Sequence, residues 1–169
     1  MSRADAVTAL AERLDEALES QRRLLELVVE QRPAIASGRH AEVDAIAGRI
    51  ELEVRRLSTI EQARAAAAEM LADELGLAAT RWSVLREALT ADERAQIAPR
   101  VQAIEAVVRD LELANTVNGQ LVRQELNLVD MSVRSLGAAD RNPAHRAYTA
   151  GGTRAAAPAS GPLMLNTAA

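Results

Sequence analysis

Two asparagines, Asn115 and Asn118, stand about one helical turn apart in a seam otherwise built mainly of valine, leucine and isoleucine. Read at alternating steps of three and four, the seam runs Val101, Ile104, Val108, Leu111, Asn115, Asn118, Val122, Glu125, Val129, Ser132 and Leu136. That is the heptad pattern of a helix packing along one stripe. A carboxamide both donates and accepts, so the pair is equipped for polar recognition and not for bond-making. Inside a fold it would fix register at some cost in stability. Left uncovered by neighbouring helices, it would offer its amides to a bound partner. Both readings stand. Gln21 and Arg64 interrupt the other seams in the same way. With a hairpin turn near Gly38, Arg64 falls level with Glu12 and Asp15, and a partly buried ion pair is expected there.

The groups that catalysis would need are missing. His40 and His145 fall in a predicted turn and a predicted tail, and neither follows a glutamate at the Glu-x-x-His spacing of di-iron bundles. There is no cysteine, hence no thiolate nucleophile, no thiolate metal site and no disulfide. No serine has a His/Asp partner set, and no Gly-rich loop joins a strand to a helix. Acids and arginines such as Glu12, Arg13, Glu16 and Glu19 recur on outward helix faces, where solvated local ion pairs are the ordinary reading. We expect a binding protein with no enzyme activity, no cofactor and no metal.

Four stretches must position these residues. The first helix is predicted over residues 3–32, with the seam Val7, Leu10, Leu14, Ala17, Gln21, Leu24 and Val28, widened by Leu18, Leu25 and Val29. Pro33 disfavours a helical Arg32 and should end or kink it there. Ser37-Gly38 then supplies a turn, with Gly38 suited to a left-handed C-cap. A second helix should start at residue 39 or 40 and reach about residue 75, through Val43, Ile46, Ile50, Glu53, Leu57, Ile60, Arg64, Ala67 and Leu71, ended by Gly76. The short link makes the two an antiparallel hairpin. Alanines 65–68 form a thin patch open to close helix approach. A short helix capped by Thr80 should turn Trp82 and Leu85 inward, and Thr90-Ala91-Asp92-Glu93 is a capping-box pattern. Pro99 either sits near the start of the long helix or kinks it. That helix is predicted over residues 101–136, its stripe broadened by Val107, Ala114, Leu121, Leu126, Leu128 and Val133 so that it meets more than one neighbour. Gly137 reads as its cap.

The 169 residues, 49% hydrophobic and 26% charged, fit one soluble domain. One Trp, one Tyr and no Phe leave a core of Leu, Val, Ile and Ala, with little to stack on a base. All basic residues other than the histidines are arginine, which together with the heavy alanine use reads as coding bias. A net charge of −4 with interspersed arginines argues against general nucleic-acid binding. The amphipathic start and the lack of a membrane-length apolar run make a cytoplasmic protein the expectation. Residues 138–169, rich in Ala, Gly, Pro, Ser and Thr, cannot offset their ordering entropy and should form a disordered tail. Two islands mark it: Tyr148 ahead of Gly151-Gly152, and Leu163-Met164-Leu165. Tyr148 is either an incidental linker residue or an aromatic anchor for a partner's pocket. The expected fold is all-α: residues 1–137 form an elongated antiparallel helical bundle, a two-helix hairpin plus a long third helix with a short connecting helix.

The order of these parts resembles the FlgN family of flagellar type III export chaperones. The resemblance is carried by Leu24-Leu25-Glu26-Leu27, Glu30-Gln31-Arg32-Pro33-Ala34-Ile35, Ser37-Gly38 and Val43-Asp44-Ala45-Ile46 in the hairpin. It continues in Leu57-Ser58-Thr59-Ile60-Glu61-Gln62-Ala63-Arg64. Its most specific piece is Leu113-Ala114-Asn115-Thr116-Val117-Asn118-Gly119-Gln120-Leu121-Val122, similar to the family's N-x-x-N-x-x-L segment, and Tyr148-Thr149-Ala150-Gly151 resembles the family's tail. Pro33, Arg39 in place of an acidic cap, and the added tail after Gly152 are departures. The resemblance implies a chaperone that holds the hook–filament junction proteins FlgK and FlgL by their helical C-terminal segments and delivers them to the export gate protein FlhA. The client would lie on Asn115, Asn118, Leu121, Val122, Glu125, Leu128 and Val129, and Tyr148 would meet the gate. The alternative is a self-assembling coiled-coil scaffold or spacer. Its seams would serve homo-oligomerisation, against which the broad, unequal stripes and short turns speak.

Overall fold

The N-terminal capping box sets where the first helix begins. The Ser2 hydroxyl accepts from the Asp5 amide at 3.2 Å, and the Asp5 carboxylate accepts from the Ser2 amide at 3.0 Å. Two otherwise orphaned donors are thereby satisfied. The computed structural model describes residues 2–139, in four helices and, among those residues, no strand: α1 (Arg3–Ala36), α2 (His40–Glu74), α3 (Trp82–Ala88) and α4 (Ala91–Ala139). The protein is all-α. Two units divide between Leu126 and Asn127, and each is taken by itself.

In the first unit α1 is the central element. Every residue of its predicted seam is buried, from Val7 to Val28, with Ala6, Ala11, Leu18 and Leu27 alongside. Such a wide buried face needs cover from two directions. On one side Arg49 pairs with Glu30, the Ser20 hydroxyl donates to Glu53, and Gln31 donates to the Val43 carbonyl. Partners descend in α2 as they ascend in α1, so the two helices form the antiparallel hairpin. On the other side Arg3 meets Glu93, Asp15 meets Arg100, and the Val28 carbonyl meets Asn118. Here the numbers rise together, and α4 runs parallel to α1.

The C-termini of α1 and α2 close by the same device. The Gly38 amide donates to the Ile35 carbonyl and the Arg39 amide to Ala34, while Gly38 takes a φ of 61°. The Gly76 amide donates to Asp73 and the Leu77 amide to Ala72, with Gly76 at 67°. These are paired Schellman bonds around a left-handed glycine. Below the second turn, Val7, Leu10, Leu14, Ala67, Ala68, Leu71, Leu89 and Ile97 form the core, with Leu75, Trp82, Val101 and Ile104 packed against it. Of the alanine patch, Ala67 and Ala68 are buried and Ala65 and Ala66 are exposed.

Several boundaries differ from expectation. The first helix does not end before Pro33 but continues to Ala36. A proline there deletes one backbone bond near the helix end, and burial of Ala34 and Ile35 holds the last turn in place. Thr80 does not cap α3; Arg81 occupies the N-cap with no side-chain bond, and its carbonyl takes the amides of Val84 and Leu85. The burial of Leu85 and the packing of Trp82 set that register more strongly than a hydroxyl cap. Pro99 lies inside one continuous α4, between a buried Ile97 and a Val101 packed on the core. Gly137 is also within α4, followed by two helix-favouring alanines, where a cap was expected. Arg64 pairs with its own helix neighbour Glu61 at 2.7 Å, and Asp15 is taken instead by Arg100 at 2.9 Å. An i, i+3 partner is already in reach and costs less ordering than one across helices. The expected tail from Asp140 onward, with Tyr148 and Leu163-Met164-Leu165, lies outside the described residues.

The Thr90–Glu93 capping box opens α4, with the Thr90 amide donating to Glu93 at 2.8 Å and the Glu93 amide to the Thr90 hydroxyl at 3.3 Å. Arg3 adds two bonds to the same carboxylate, at 2.7 and 2.6 Å, and a third to the Ala88 carbonyl. The Arg3 guanidinium, with help from Thr90, holds the Glu93 carboxyl at about 2, down from an ordinary 4.5. Because the folded value lies below the ordinary one, this contribution is complete above about pH 4.5 and is lost as pH falls toward 2. Glu93→Gln should therefore lower the thermal midpoint at pH 7, and its gap from the wild type should close on acidification across that range. A gap independent of pH would show that the cap alone, and not the ion pair, sets the effect.

Candidate functional site

Asn118 is buried, and its amide is engaged within the chain. Its Nδ2 donates to the Val28 carbonyl at 2.8 Å and its Oδ1 accepts from Arg32 Nε at 3.3 Å. A buried carboxamide so placed fixes the register of α4 against α1, since sliding either helix would strand polar groups. Asn115 is exposed. The two asparagines are therefore split: one is internal, the other faces solvent.

Further along the first unit, Leu121 and Glu125 are half-buried, and Glu125 reaches the hairpin turn. One of its carboxylate oxygens lies 3.9 Å from where a Cβ on Gly38 would be. Val122 and Leu126 are exposed, the latter by 63%. Leu113, on α4 ahead of the asparagines, is also exposed.

In the second unit, Leu128, Val129, Met131 and Val133 are each more than half exposed. The polar side chains among them make only local bonds: Ser132 to the Leu128 carbonyl, Ser135 to that of Ser132, and Arg134 to Asp130. Within this unit Val129 and Val133 are four residues apart, as Val122 and Leu126 are within the first, the spacing that puts two residues on one helix face. Of the expected client residues, the structure thus leaves Asn115, Val122, Leu128 and Val129 accessible, Leu121 and Glu125 partly so, and Asn118 covered. Leu126, Met131 and Val133 are exposed apolar residues absent from that expected set. Leu126 and Val133 were visible in the broadened stripe, whereas Met131 carries no seam signal.

No group of three or more His, Cys, Asp or Glu side chains among the described residues could hold a metal. No helix among them is long and apolar enough to cross a membrane. His40 lies exposed in the first turn of α2, and His145 is outside the described residues. A family model described as FlgN protein matches residues 1–156. No curated protein and no solved structure matches the chain.

Proposed function

The chain belongs to the FlgN family of flagellar export chaperones, and from that membership we propose that it holds FlgK and FlgL in the cytoplasm and delivers them to the export gate protein FlhA. The observation that carries the client side of this reading is the run of exposed apolar residues Leu128, Val129, Met131 and Val133 on α4. Water-exposed leucine, valine and methionine in one short helical stretch gain by burial, about 25 cal/mol per Å² of apolar area covered. An export client whose terminal helices assemble only outside the cell has the complementary need. Helix-in-groove packing satisfies both without a nucleotide.

Client contact is assigned to Leu121, Val122, Leu128 and Val129, with Asn115 and Glu125 as polar edges. Asn118 serves the same surface from within, by holding α4 in register against α1. The same exposed stripe would also suit a self-assembling scaffold. Sedimentation of the full chain alone and with purified FlgK or FlgL separates the two. A chaperone remains a small species that gains mass only with client, while a scaffold assembles unaided.

Delivery is assigned to Tyr148, on the strength of the family resemblance around Tyr148-Thr149-Ala150-Gly151. An aromatic side chain brings large contact area for few rotatable bonds, and its hydroxyl can find one partner. A single anchor binds weakly on its own and becomes effective when client and chaperone engage the gate together. Tyr148→Ala should leave helicity and client affinity within about twofold and lower FlhA binding by roughly tenfold. Equal loss of client binding would move Tyr148 into the client surface.

A further inference from the structure

Four large apolar side chains crowd one short stretch of α4 in the second unit. Leu128, Val129, Met131 and Val133 are exposed by 61, 56, 66 and 61%. Single exposed apolar residues are ordinary on a protein surface, but four within six positions are not. The serines beside them need no outside acceptor, because the Ser132 and Ser135 hydroxyls donate to carbonyls of their own helix at 2.8 Å. Asp130 and Arg134 pair with each other at 2.8 Å. A segment that covers this surface has to be apolar and uncharged.

The sequence beyond Ala139 holds one segment of that kind. Among residues 140–169 the large apolar side chains are Tyr148, Leu163, Met164 and Leu165, and only the last three are consecutive. Gly161-Pro162 before them and Asn166-Thr167 after them set them apart as a short uncharged unit. We propose that Leu163-Met164-Leu165 docks on Leu128, Val129, Met131 and Val133 of the same chain. Residues 140–162 join the two. At full stretch they reach roughly 75 Å, whereas Val129 lies only about 15 Å along the helix from Ala139. A tether with length to spare makes docking intramolecular, at an effective concentration on the order of millimolar. A second copy at micromolar concentration competes poorly with that. Charge favours the same pairing. With His neutral, the three arginines and one aspartate of residues 140–169 give +2, which leaves −6 on the other residues of a chain at −4. A contact of three side chains is weak, so it shields the surface in the free protein and yields it to a stronger partner.

The chain has no cysteine, so two introduced thiols can form only one bridge within it. Ser132→Cys with Asn166→Cys puts one thiol beside each half of the contact. Ser132→Cys with Ala156→Cys is the comparison, nearer along the chain, where a bare tether closes its loop at least as fast. In the full chain at low micromolar concentration, the first pair should oxidise about tenfold faster than the second. Leu163→Ser with Leu165→Ser should remove that excess, and so should Val129→Asp with Val133→Asp, while circular dichroism stays unchanged. No client enters the measurement, so its outcome is separate from FlgK or FlgL binding. Equal rates for the two pairs, an excess that survives either set of substitutions, or bridges formed between two chains would each overturn the proposal.

Discussion

Leu71→Ala is expected to lower the unfolding free energy by about 3 kcal/mol, read as a reduced urea midpoint with an unchanged slope. Leu71 is fully buried and sits among Val7, Leu10, Leu14, Ala67, Ala68 and Ile97. One methine and two methyl carbons vanish from a site whose neighbours are on three helices, each pinned elsewhere. Val7 is held by the Ser2–Asp5 cap and the Arg3–Glu93 pair, and Ile97 by the capping box opening α4. Collapse into the cavity is therefore restricted, and the cost falls well inside the range for large-to-small core changes. Against a total of roughly 5–15 kcal/mol for a domain, this is a large fraction. Ala65→Gly, six residues earlier on the exposed side, should cost only the helix-propensity difference of about 1 kcal/mol. Equal losses would mean that α2 is stabilised by local propensity and not by packing.

Periodicity was the most legible feature of this chain. All seven predicted seam positions of α1 are buried, six of them apolar and the seventh Gln21, because a helix covered from two sides buries every three-then-four step. Gly38 and Gly76 were also readable, since a left-handed C-cap has few residue choices. What the pattern could not show was how partners are shared. Arg64 was expected across the hairpin and pairs along its own helix; Asn115 and Asn118 look alike in sequence and take opposite sides of the surface. Pro33 misled for a related reason, and Pro99 left two readings open. Pro33 and Pro99 each remove one backbone donor, but Ile35, Ile97 and Val101 bury enough apolar surface around them to keep the helix running. The local cost was visible, the tertiary compensation was not. Exposure at Met131 shows the same limit from the other side: the residue lies on no seam, so only its surroundings reveal it.

Replacing Leu121, Val122 and Leu128 together with aspartate is expected to abolish FlgK and FlgL binding, by more than about a thousandfold, while circular dichroism still reports the helix. Burying a leucine or valine against a partner contributes roughly 1.5–3 kcal/mol each, and an aspartate in its place brings a charge that must be stripped of water. Three such losses exceed the roughly 4 kcal/mol that a thousandfold change in affinity represents. The fold should tolerate them unequally. Val122 and Leu128 are exposed, at 42% and 61%, so their replacement removes little that the free protein buries. Leu121 is half-buried and carries most of the stability risk. The pair Val122→Asp and Leu128→Asp, with Leu121 retained, keeps the test clean if the triple variant is destabilised. Asn118→Leu is the opposite control. It breaks the bonds to Val28 and Arg32 and should weaken the bundle before it touches the surface. If client binding survived the three aspartates in a folded protein, the client surface would have to be sought on the hairpin, where Val29, Leu52, Val54 and Met70 are exposed.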